Sequence, residues 1–226
     1  MYTTVFRIRD AAVAAFANAR FLLSVASLAQ FPLDHGAEVA FAGRSNAGKS
    51  SALNAILGRR ALARTGKTPG RTRLLNYFEL GDDRRIVDLP GYGYARVSEQ
   101  ERIGWEPLLA RLRVRRSLRG LFLIIDARRE VAALDLALMD WADRASIHVL
   151  LTKADKLKRS EAARSLKAAQ GALTEHTGLP RAGGRTTSVQ LFSAVTGAGV
   201  DDARRVLLGW LEPPHERAGD SASGAQ

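Results

Sequence analysis

The 226-residue chain contains no cysteine. Its absence excludes a disulfide framework, thiolate zinc sites, cysteine nucleophiles and thiol redox chemistry. Long apolar runs are also missing, since the most apolar stretch near the amino terminus, residues 11–29, carries Arg20 near its middle. A membrane-spanning helix needs about 20 predominantly apolar residues, and a signal peptide needs an unbroken apolar stretch. We therefore expect a cytoplasmic protein without a membrane partner.

Acidic residues are scarce relative to basic ones. The chain has 34 lysines and arginines against 23 aspartates and glutamates, which gives a formal net charge of +11. So large an excess concerns partners and association rather than the fold. Nucleic acid, an anionic membrane and a phosphate-rich ligand are all candidate partners, and an arginine-rich composition without a function is the competing interpretation. The length and a hydrophobic share of 46% fit one large globular domain or two small ones.

Apolar strands alternate with helical segments along most of the chain. The predicted strands cover residues 39–42, 74–80, 85–89, 121–125, 147–151 and 189–192, and the predicted helices cover 50–57, 107–118, 131–145, 160–175 and 200–211. The second and third strands are joined by so short a link that they form an antiparallel hairpin. This pattern predicts an α/β fold with three layers: a mostly parallel six-stranded sheet with one antiparallel strand, and helices on both faces.

The remaining segments flank this predicted domain, which covers residues 36–212. Residues 1–35 are expected to form a helical extension, in which Asp10 caps a short helix to about Ala19 and residues 21–34 are loop-like. The polar residues 213–226 are expected to be a disordered tail. One apolar stripe in the helix at 131–145 is expected to face the core, namely Val131, Leu134, Leu138, Trp141 and Ala145.

Residues 43–50 read GRSNAGKS and match the phosphate-binding pattern G-x-x-x-x-G-K-[ST], between an apolar strand and a helix. The glycines let backbone N–H groups wrap an anion, and the helix N-terminus adds a favourable dipole. Lys49 is predicted to reach the β- and γ-phosphate oxygens, and the Ser50 hydroxyl to bind Mg²⁺. The rest of the predicted phosphate loop consists of Gly43, Arg44, Ser45, Asn46, Ala47 and Gly48.

Three further motifs follow apolar strands. In DLPG, Asp88 can hold Mg²⁺ and the Gly91 backbone can approach a γ-phosphate. In TKAD, Asp155 can accept two hydrogen bonds from guanine, whose donor pair adenine lacks. Because ligands bind at the carboxyl ends of strands in open α/β sheets, the joint placement predicts a guanine-nucleotide site. The predicted contacts in these motifs are Asp88, Leu89, Pro90, Gly91, Thr152, Lys153, Ala154, Asp155, Phe192, Ser193 and Ala194.

The order GRSNAGKS, TPGRT, DLPG, TKAD and FSA resembles the five signature motifs of a small GTPase domain. The flanking sequences ARFLLSVASLAQFP, KTPGRTRLLNYFEL and DLPGYGYA are similar to those of the EngB family of bacterial GTPases, and the resemblance runs from about Ala19 to Leu211. It implies GTP and GDP as ligands together with Mg²⁺. It also implies a role in assembling the large ribosomal subunit and a requirement in cell division and septation. We further expect a monomer.

The resemblance also implies roles for single residues. Thr72, the last residue of TPGRT, would be the switch I threonine that joins Ser50 on Mg²⁺ when GTP is bound, with Thr68 as the competing choice. Asn46 stands where related GTPases use an asparagine to help hold K⁺ against the phosphates, or it only braces the loop. Lys49, Asn46, Thr72 and Gly91 are thus the expected catalytic set. The expected contacts around Thr72 are Gly70, Arg71, Arg73 and Leu74.

Tyr92 follows Gly91, where Ras-like enzymes carry a glutamine that orients the attacking water. A phenol is a poor substitute for an amide, so we expect slow intrinsic hydrolysis. A P-loop ATPase or kinase is an alternative that Asp155 opposes. A structural protein of the division septum is another, for which the sequence shows no assembly or membrane-attachment element.

The expected partner is the precursor of the large ribosomal subunit, with its ribosomal RNA and proteins, and not DNA. Two basic groups are candidates for contacts with RNA phosphates, with a solvated arginine-rich surface as the alternative. They consist of Arg59, Arg60, Arg64, Lys67, Arg71 and Arg73 around TPGRT, and of Arg111, Arg113, Arg115, Arg116 and Arg119 before the fourth predicted strand.

Overall fold

The computed structural model describes residues 16–63, 74–92, 99–177 and 185–212. Its strands are β1 (Arg20–Val25), β2 (Ala37–Gly43), β3 (Leu75–Gly81), β4 (Arg84–Asp88), β5 (Leu118–Asp126), β6 (Ser146–Thr152) and β7 (Thr187–Leu191). They form a sheet in the order β1-β3-β4-β2-β5-β6-β7. Strand β3 runs antiparallel to both of its neighbours, and the pairs from β4 to β7 are parallel.

Five helices cover the two faces of the sheet within these ranges: α1 (Lys49–Leu57), α2 (Glu99–Arg113), α3 (Ala133–Trp141), α4 (Arg159–Thr177) and α5 (Val200–Leu211). Helices α1 and α5 pack in one apolar cluster with Phe41 and Phe122, and α2, α3 and α4 pack in the other with Ala42 and Leu123. The central strands are therefore buried on both sides, which explains their continuous apolar sequences. The predicted three-layer, mostly parallel α/β fold is confirmed, as is the hairpin between β3 and β4. Among the helices of the described ranges, none has the length and apolar character to cross a membrane.

The sheet has one strand more than the six predicted, because residues 20–25 form β1 rather than a loop within a helical extension. This edge strand pairs with β3 through its backbone and through side chains: Arg20 pairs with Glu79, and the Ser24 hydroxyl donates to Asn76 Oδ1 at 2.7 Å. Only Val25 in β1 is fully buried, so the strand lacks the clear apolar alternation by which sequence patterns are recognised. The predicted helix capped by Asp10 lies mostly outside the described residues.

Helix α2 ends at Arg113, five residues earlier than predicted, and the chain turns before β5 begins at Leu118. The turn directs Arg115 inward, where only 4% of its surface is exposed. Its guanidinium donates to both carboxylate oxygens of Glu38, at 2.8 and 2.7 Å, and to the carbonyls of Pro32 and Leu33, both at 3.0 Å. The prediction that Arg115 belongs to a basic RNA-facing surface is therefore wrong, because this arginine is committed to a buried ion pair.

The predicted inward stripe of α3 is also wrong in part. Leu134 is 53% exposed, whereas Asp135 and Met139 are fully buried. A buried aspartate is tolerated here because both of its oxygens accept hydrogen bonds, one from Tyr92 Oη and one from the Ala132 N–H. The helix is thus turned so that the satisfied carboxylate of Asp135, and not the side chain of Leu134, faces the protein interior.

Candidate functional site

The loop between β2 and α1 is shaped to hold an anion. Every residue of β2 is buried, and α1 begins at Lys49 directly after Gly48, whose φ of 100° suits a residue without Cβ. A Cβ on Gly43 would lie 2.7 Å from the Ile124 carbonyl oxygen, so the close approach of β2 and β5 requires glycine there. Asn46 has a φ of 63°, which asparagine adopts more readily than most residues. The backbone therefore curls around the N-terminus of α1, as a phosphate-binding loop does.

Lys49 and Asp88 form a buried ion pair beside this loop. The Lys49 ammonium donates to Asp88 Oδ1, and the two residues are 9% and 4% exposed. Burial raises the pKa of the Asp88 carboxyl, and the lysine opposes that shift. Asp88 and the Ser50 hydroxyl supply hard oxygen donors of the kind that Mg²⁺ prefers, and phosphate oxygens and water usually complete such a site. The residues present thus fit a magnesium ion, which Asp88 and Ser50 would hold and which would supply positive charge beside the phosphate loop.

The end of β6 is tied directly to the phosphate loop. Lys153, with a φ of 59°, donates from Nζ to the Asn46 carbonyl at 2.6 Å and pairs with Asp126 Oδ2 at 3.0 Å. The Thr152 hydroxyl lies within hydrogen-bonding distance of the carbonyl oxygens of Ala47 and Ile125 and can donate to either. These contacts hold the TKAD motif in a fixed position relative to the GRSNAGKS loop.

Asp155 is oriented by the loop after β7. Its Oδ1 accepts the Ser193 hydroxyl at 2.6 Å, and Ser193 Oγ in turn accepts the N–H groups of Val195 and Thr196, both at 3.2 Å. The Ala154 N–H donates to the Phe192 carbonyl at 3.2 Å, which joins the two loops through the backbone. The bond from Ser193 lowers the pKa of Asp155, so this carboxylate is an ionised acceptor at neutral pH.

Two functional candidates escaped the sequence analysis. Asp126 ends β5 and binds both Lys153 and Arg128, and the hydrogen bond from Arg128 is the largest cause of its lowered pKa. Its position after the apolar run LFLIID was a usable signal, because this run ends at the same edge of the sheet as the other motifs. Asp135 lies in α3 and binds Tyr92, and no local pattern singles it out. A cleft of about 150 Å³ lies among these residues, lined by Arg44–Ala47, Asp126, Asp135 and Lys153 together with residues 128–130.

Most of the predicted site residues meet at one edge of the sheet. The phosphate loop, Asp88 to Gly91, Thr152 to Asp155 and Phe192 to Ala194 all follow parallel strands that end there. Leu74 stands at the same edge because β3 runs in the opposite direction and begins there. Gly70, Arg71, Thr72 and Arg73, with the alternative Thr68, lie outside the described residues.

The fold and this edge define a P-loop nucleotide-binding domain. The loop after β6 carries the carboxylate of Asp155, which Ser193 holds in place. A family model described as "50S ribosome-binding GTPase" matches residues 38–153. "Probable GTP-binding protein EngB" of Azoarcus sp. (strain BH72) is 46% identical over 213 residues, covering 93% of this chain and 99% of that protein. The protein of the same name from Methylococcus capsulatus is 47% identical over 200 residues, covering 87% and 92%. The chain belongs to the EngB family of GTP-binding proteins and is a GTPase by family, so the resemblance given by its motifs is confirmed.

Solved structures agree on the fold. The crystal structure of a probable GTP-binding protein EngB superposes with a TM-score of 0.59 at 21% identity, covering 77% of this chain and 98% of that one. The small GTPase Sar1 of Encephalitozoon cuniculi, in complex with GDP, superposes with a TM-score of 0.52 at 15% identity, covering 93% and 89%. At these identities the likeness concerns the arrangement of strands and helices alone.

Proposed function

We propose that this protein is a slow, Mg²⁺-dependent GTPase that acts as a switch in assembly of the large ribosomal subunit. The observation that carries the nucleotide part is the set of contacts joining Lys153 and Asp155 to the phosphate loop and the Ser193 loop. A base and a phosphate chain bound together would bridge these two loops. The protein is proposed to act as a cytoplasmic monomer.

The phosphate chain is assigned to the residues 43–50. Lys49 would leave Asp88 for the phosphate oxygens, and Asp88 would turn to the cation together with Ser50 and, in the GTP form, Thr72. Magnesium supplies charge neutralisation of the transferred phosphoryl group. Gly91 would offer its backbone N–H to the γ-phosphate. Because only GTP carries this phosphate, its binding orders the segments that contact it, and hydrolysis releases them.

Base selectivity is assigned to Asp155, with Lys153 packing beside the base and residues 192–194 flanking it. The test is to measure binding of fluorescent GDP, GTP, ATP and the xanthine nucleotide XDP to the wild type and to Asp155→Asn. The wild type should bind both guanine nucleotides and not ATP, and the variant should lose guanine affinity and gain xanthine nucleotides. Tight ATP binding by the wild type would favour the ATPase or kinase alternative.

Slow hydrolysis follows from the residue after Gly91. The Tyr92 hydroxyl is engaged by Asp135 and lacks the amide donor and acceptor with which a glutamine orients an attacking water. A cation or a partner would then supply what is missing. Asn46, exposed on the phosphate loop, is proposed to hold K⁺ there. Turnover should rise in KCl over NaCl at equal ionic strength, and equal rates with large subunits present would count against K⁺.

The ribosomal part of the proposal is supported by the description of the matching family and by the basic charge. Arg111, Arg116 and Arg119 remain exposed and available to RNA phosphates. Sedimentation of cell extract with GDP or a non-hydrolysable GTP analogue is the test. Nucleotide-dependent migration with large-subunit particles would support it, and division and septation defects would then be secondary. Migration as free protein at low salt under both conditions would count against the ribosomal role and leave a direct role at the septum as the alternative.

A further inference from the structure

Tyr92 is attached to α3 by a partly buried hydrogen bond. Its hydroxyl donates to Asp135 Oδ1 at 2.6 Å, across 43 residues of sequence. Asp135 is fully buried, and its other oxygen accepts the Ala132 N–H at 2.8 Å. Burial and the neighbouring Asp135 both raise the pKa of the Tyr92 phenol above its ordinary range, so the hydroxyl stays protonated and donates at neutral pH.

The backbone of the same residue is attached to the phosphate loop. The parallel ladder between β2 and β4 continues past the end of β4, with the Leu89 N–H donating to the Phe41 carbonyl at 2.9 Å. Three residues after Leu89, the Tyr92 carbonyl accepts the Ser45 N–H at 3.0 Å, and Arg44 and Tyr92 form an isolated parallel bridge. Tyr92 is therefore held from two sides, by α3 through its side chain and by the phosphate loop through its backbone.

Gly91 lies in the chain between the backbone hydrogen bonds made by Leu89 and Tyr92. A Cβ on Gly91 would be 3.4 Å from Ser45 Cα and 3.5 Å from Ser45 N, so its backbone already rests against the phosphate loop. At 2.6 Å, the hydrogen bond from the Tyr92 hydroxyl to Asp135 is short for one between two oxygen atoms. The attachment to α3 thus limits how far the Gly91 backbone can move from the loop.

We propose that Asp135 and Tyr92 form a brace that positions Gly91 for the γ-phosphate, so that both are positioning residues for GTP as against GDP. The proposal rests on the function proposed above, in which Gly91 meets the γ-phosphate. GDP has no group at that place, so its binding does not use the brace. The brace also gives α3, which contributes no signature motif, a part in distinguishing the two nucleotides.

The test compares Tyr92→Phe with the wild type, with Mg²⁺ present, for binding of GDP and of a non-hydrolysable GTP analogue. Because the variant lacks only the hydroxyl, we expect GDP affinity within about twofold of the wild type and analogue affinity lower by roughly tenfold. Asp135→Asn should shift the ratio in the same direction. Combining the two should cost no more than the larger single effect, since both remove one interaction.

The matched control is Tyr77→Phe, which removes another buried phenol hydroxyl from the same sheet and should leave both affinities unchanged. If Asp135→Asn fails to fold, Tyr92→Phe decides the question alone. An unchanged ratio of the two affinities in Tyr92→Phe, or an equal loss for both nucleotides, would overturn the brace while leaving the proposed function intact. A wild type that binds neither nucleotide would refute the proposed function instead.

Discussion

Buried ion pairs lie at opposite ends of the central strands and are built differently. At the carboxyl end, the described residues give the Lys49 ammonium one acceptor, Asp88. At the amino end, the Arg115 guanidinium donates twice to Glu38 and to two backbone carbonyls, and it lies 5.5 Å above the Phe31 ring. Lys49 has donors left for new partners, whereas Arg115 already uses four of its five N–H donors.

The two ion pairs therefore serve different purposes: the pair at the carboxyl end serves nucleotide binding, and the pair at the amino end serves the stability of the fold. An ammonium has three donors, so Lys49 can be shared with a phosphate or transferred to it. Arg115 instead fixes the loop before β2 onto the sheet, and Asp34 in this loop accepts the Ser117 N–H and hydroxyl at 3.0 and 2.7 Å. We therefore expect substitutions at the amino end to change the free energy of unfolding, and substitutions at the carboxyl end to change nucleotide affinity.

The largest effect is expected for Arg115→Ala. The substitution removes both close hydrogen bonds to the buried Glu38 carboxylate and leaves it Arg85, at 3.6 Å, as an ion-pair partner. Breaking a buried ion pair typically costs about 3–5 kcal/mol. Urea unfolding of the nucleotide-free protein measures this loss. Arg116→Ala, the exposed neighbour, is the matched control and should stay within about 0.5 kcal/mol of the wild type. Equal losses in the two variants would remove the distinction between the buried and the exposed arginine.

Lys49→Met should separate affinity from stability. Loss of a charged hydrogen-bond donor to phosphate should weaken GDP and GTP binding by roughly 100-fold. The nucleotide-free protein should lose less stability than Arg115→Ala does, because Asp88, whose pKa burial already raises, can take up a proton. Nucleotide titration and urea unfolding of the same preparation give both quantities. Unfolding as severe as that of Arg115→Ala would contradict the comparison.

His148 in β6 predicts a pH effect that does not involve the nucleotide edge. In its neutral form the ring accepts the Ser188 hydroxyl at 2.7 Å and donates to Gln190 Oε1 at 2.8 Å. Burial lowers its pKa below the ordinary 6.5, so protons bind the unfolded chain more readily than the folded one below that pH. The resulting stability is present above pH 6.5 and is lost as the pH falls below it.

The measurement is the difference in unfolding free energy between pH 7.5 and pH 5.5, for the wild type and for His148→Gln. His35 and His176 pair with Asp83 and Asp140 and are common to both proteins, so they cancel in the comparison. The wild type should lose more stability on acidification than the variant. The same loss in both would show that His148 is not the group responsible.

The smallest effect is expected for Tyr77→Phe. Tyr77 is fully buried near the ion pair of Arg115 and Glu38. Its hydroxyl has no hydrogen-bond partner among the described residues. Removing an unsatisfied buried polar group should be neutral or slightly stabilising, by less than about 1 kcal/mol. Thermal unfolding of the variant and of the wild type under the same conditions measures this change in stability. A clear loss of stability would show that the Tyr77 hydroxyl stabilises the folded protein after all.

The parts of the site that a sequence can predict are those formed by neighbouring residues. The phosphate loop, with Lys49 at the start of α1, needs only the strand before it and the helix after it. The hairpin of β3 and β4 is equally local, and Asp82 and Asp83 adopt the left-handed backbone that such tight turns use. These elements were correctly placed because their geometry is decided within a few residues.

The parts that escaped prediction depend on residues far apart in the chain. Arg115 meets Glu38 across 77 residues, and Tyr92 meets Asp135 across 43. Strand β1 is recognisable only once β3 lies beside it, since most of its own residues are half exposed. A charged residue looks like surface in the sequence until the topology supplies a partner, and this is why Arg115 was wrongly counted with the exposed arginines.

Strand β1 also decides how a second polypeptide can join this sheet. Strand β3 begins next to the nucleotide edge, and β1 pairs with its outer side. The backbone N–H and C=O groups on that side of β3 are therefore already used. A ligand that binds by strand addition must meet an unpaired row of N–H and C=O groups, and among the strands formed by the described residues β1 and β7 are the two at the ends of the order. Strand addition beside β3 would first require β1 to leave.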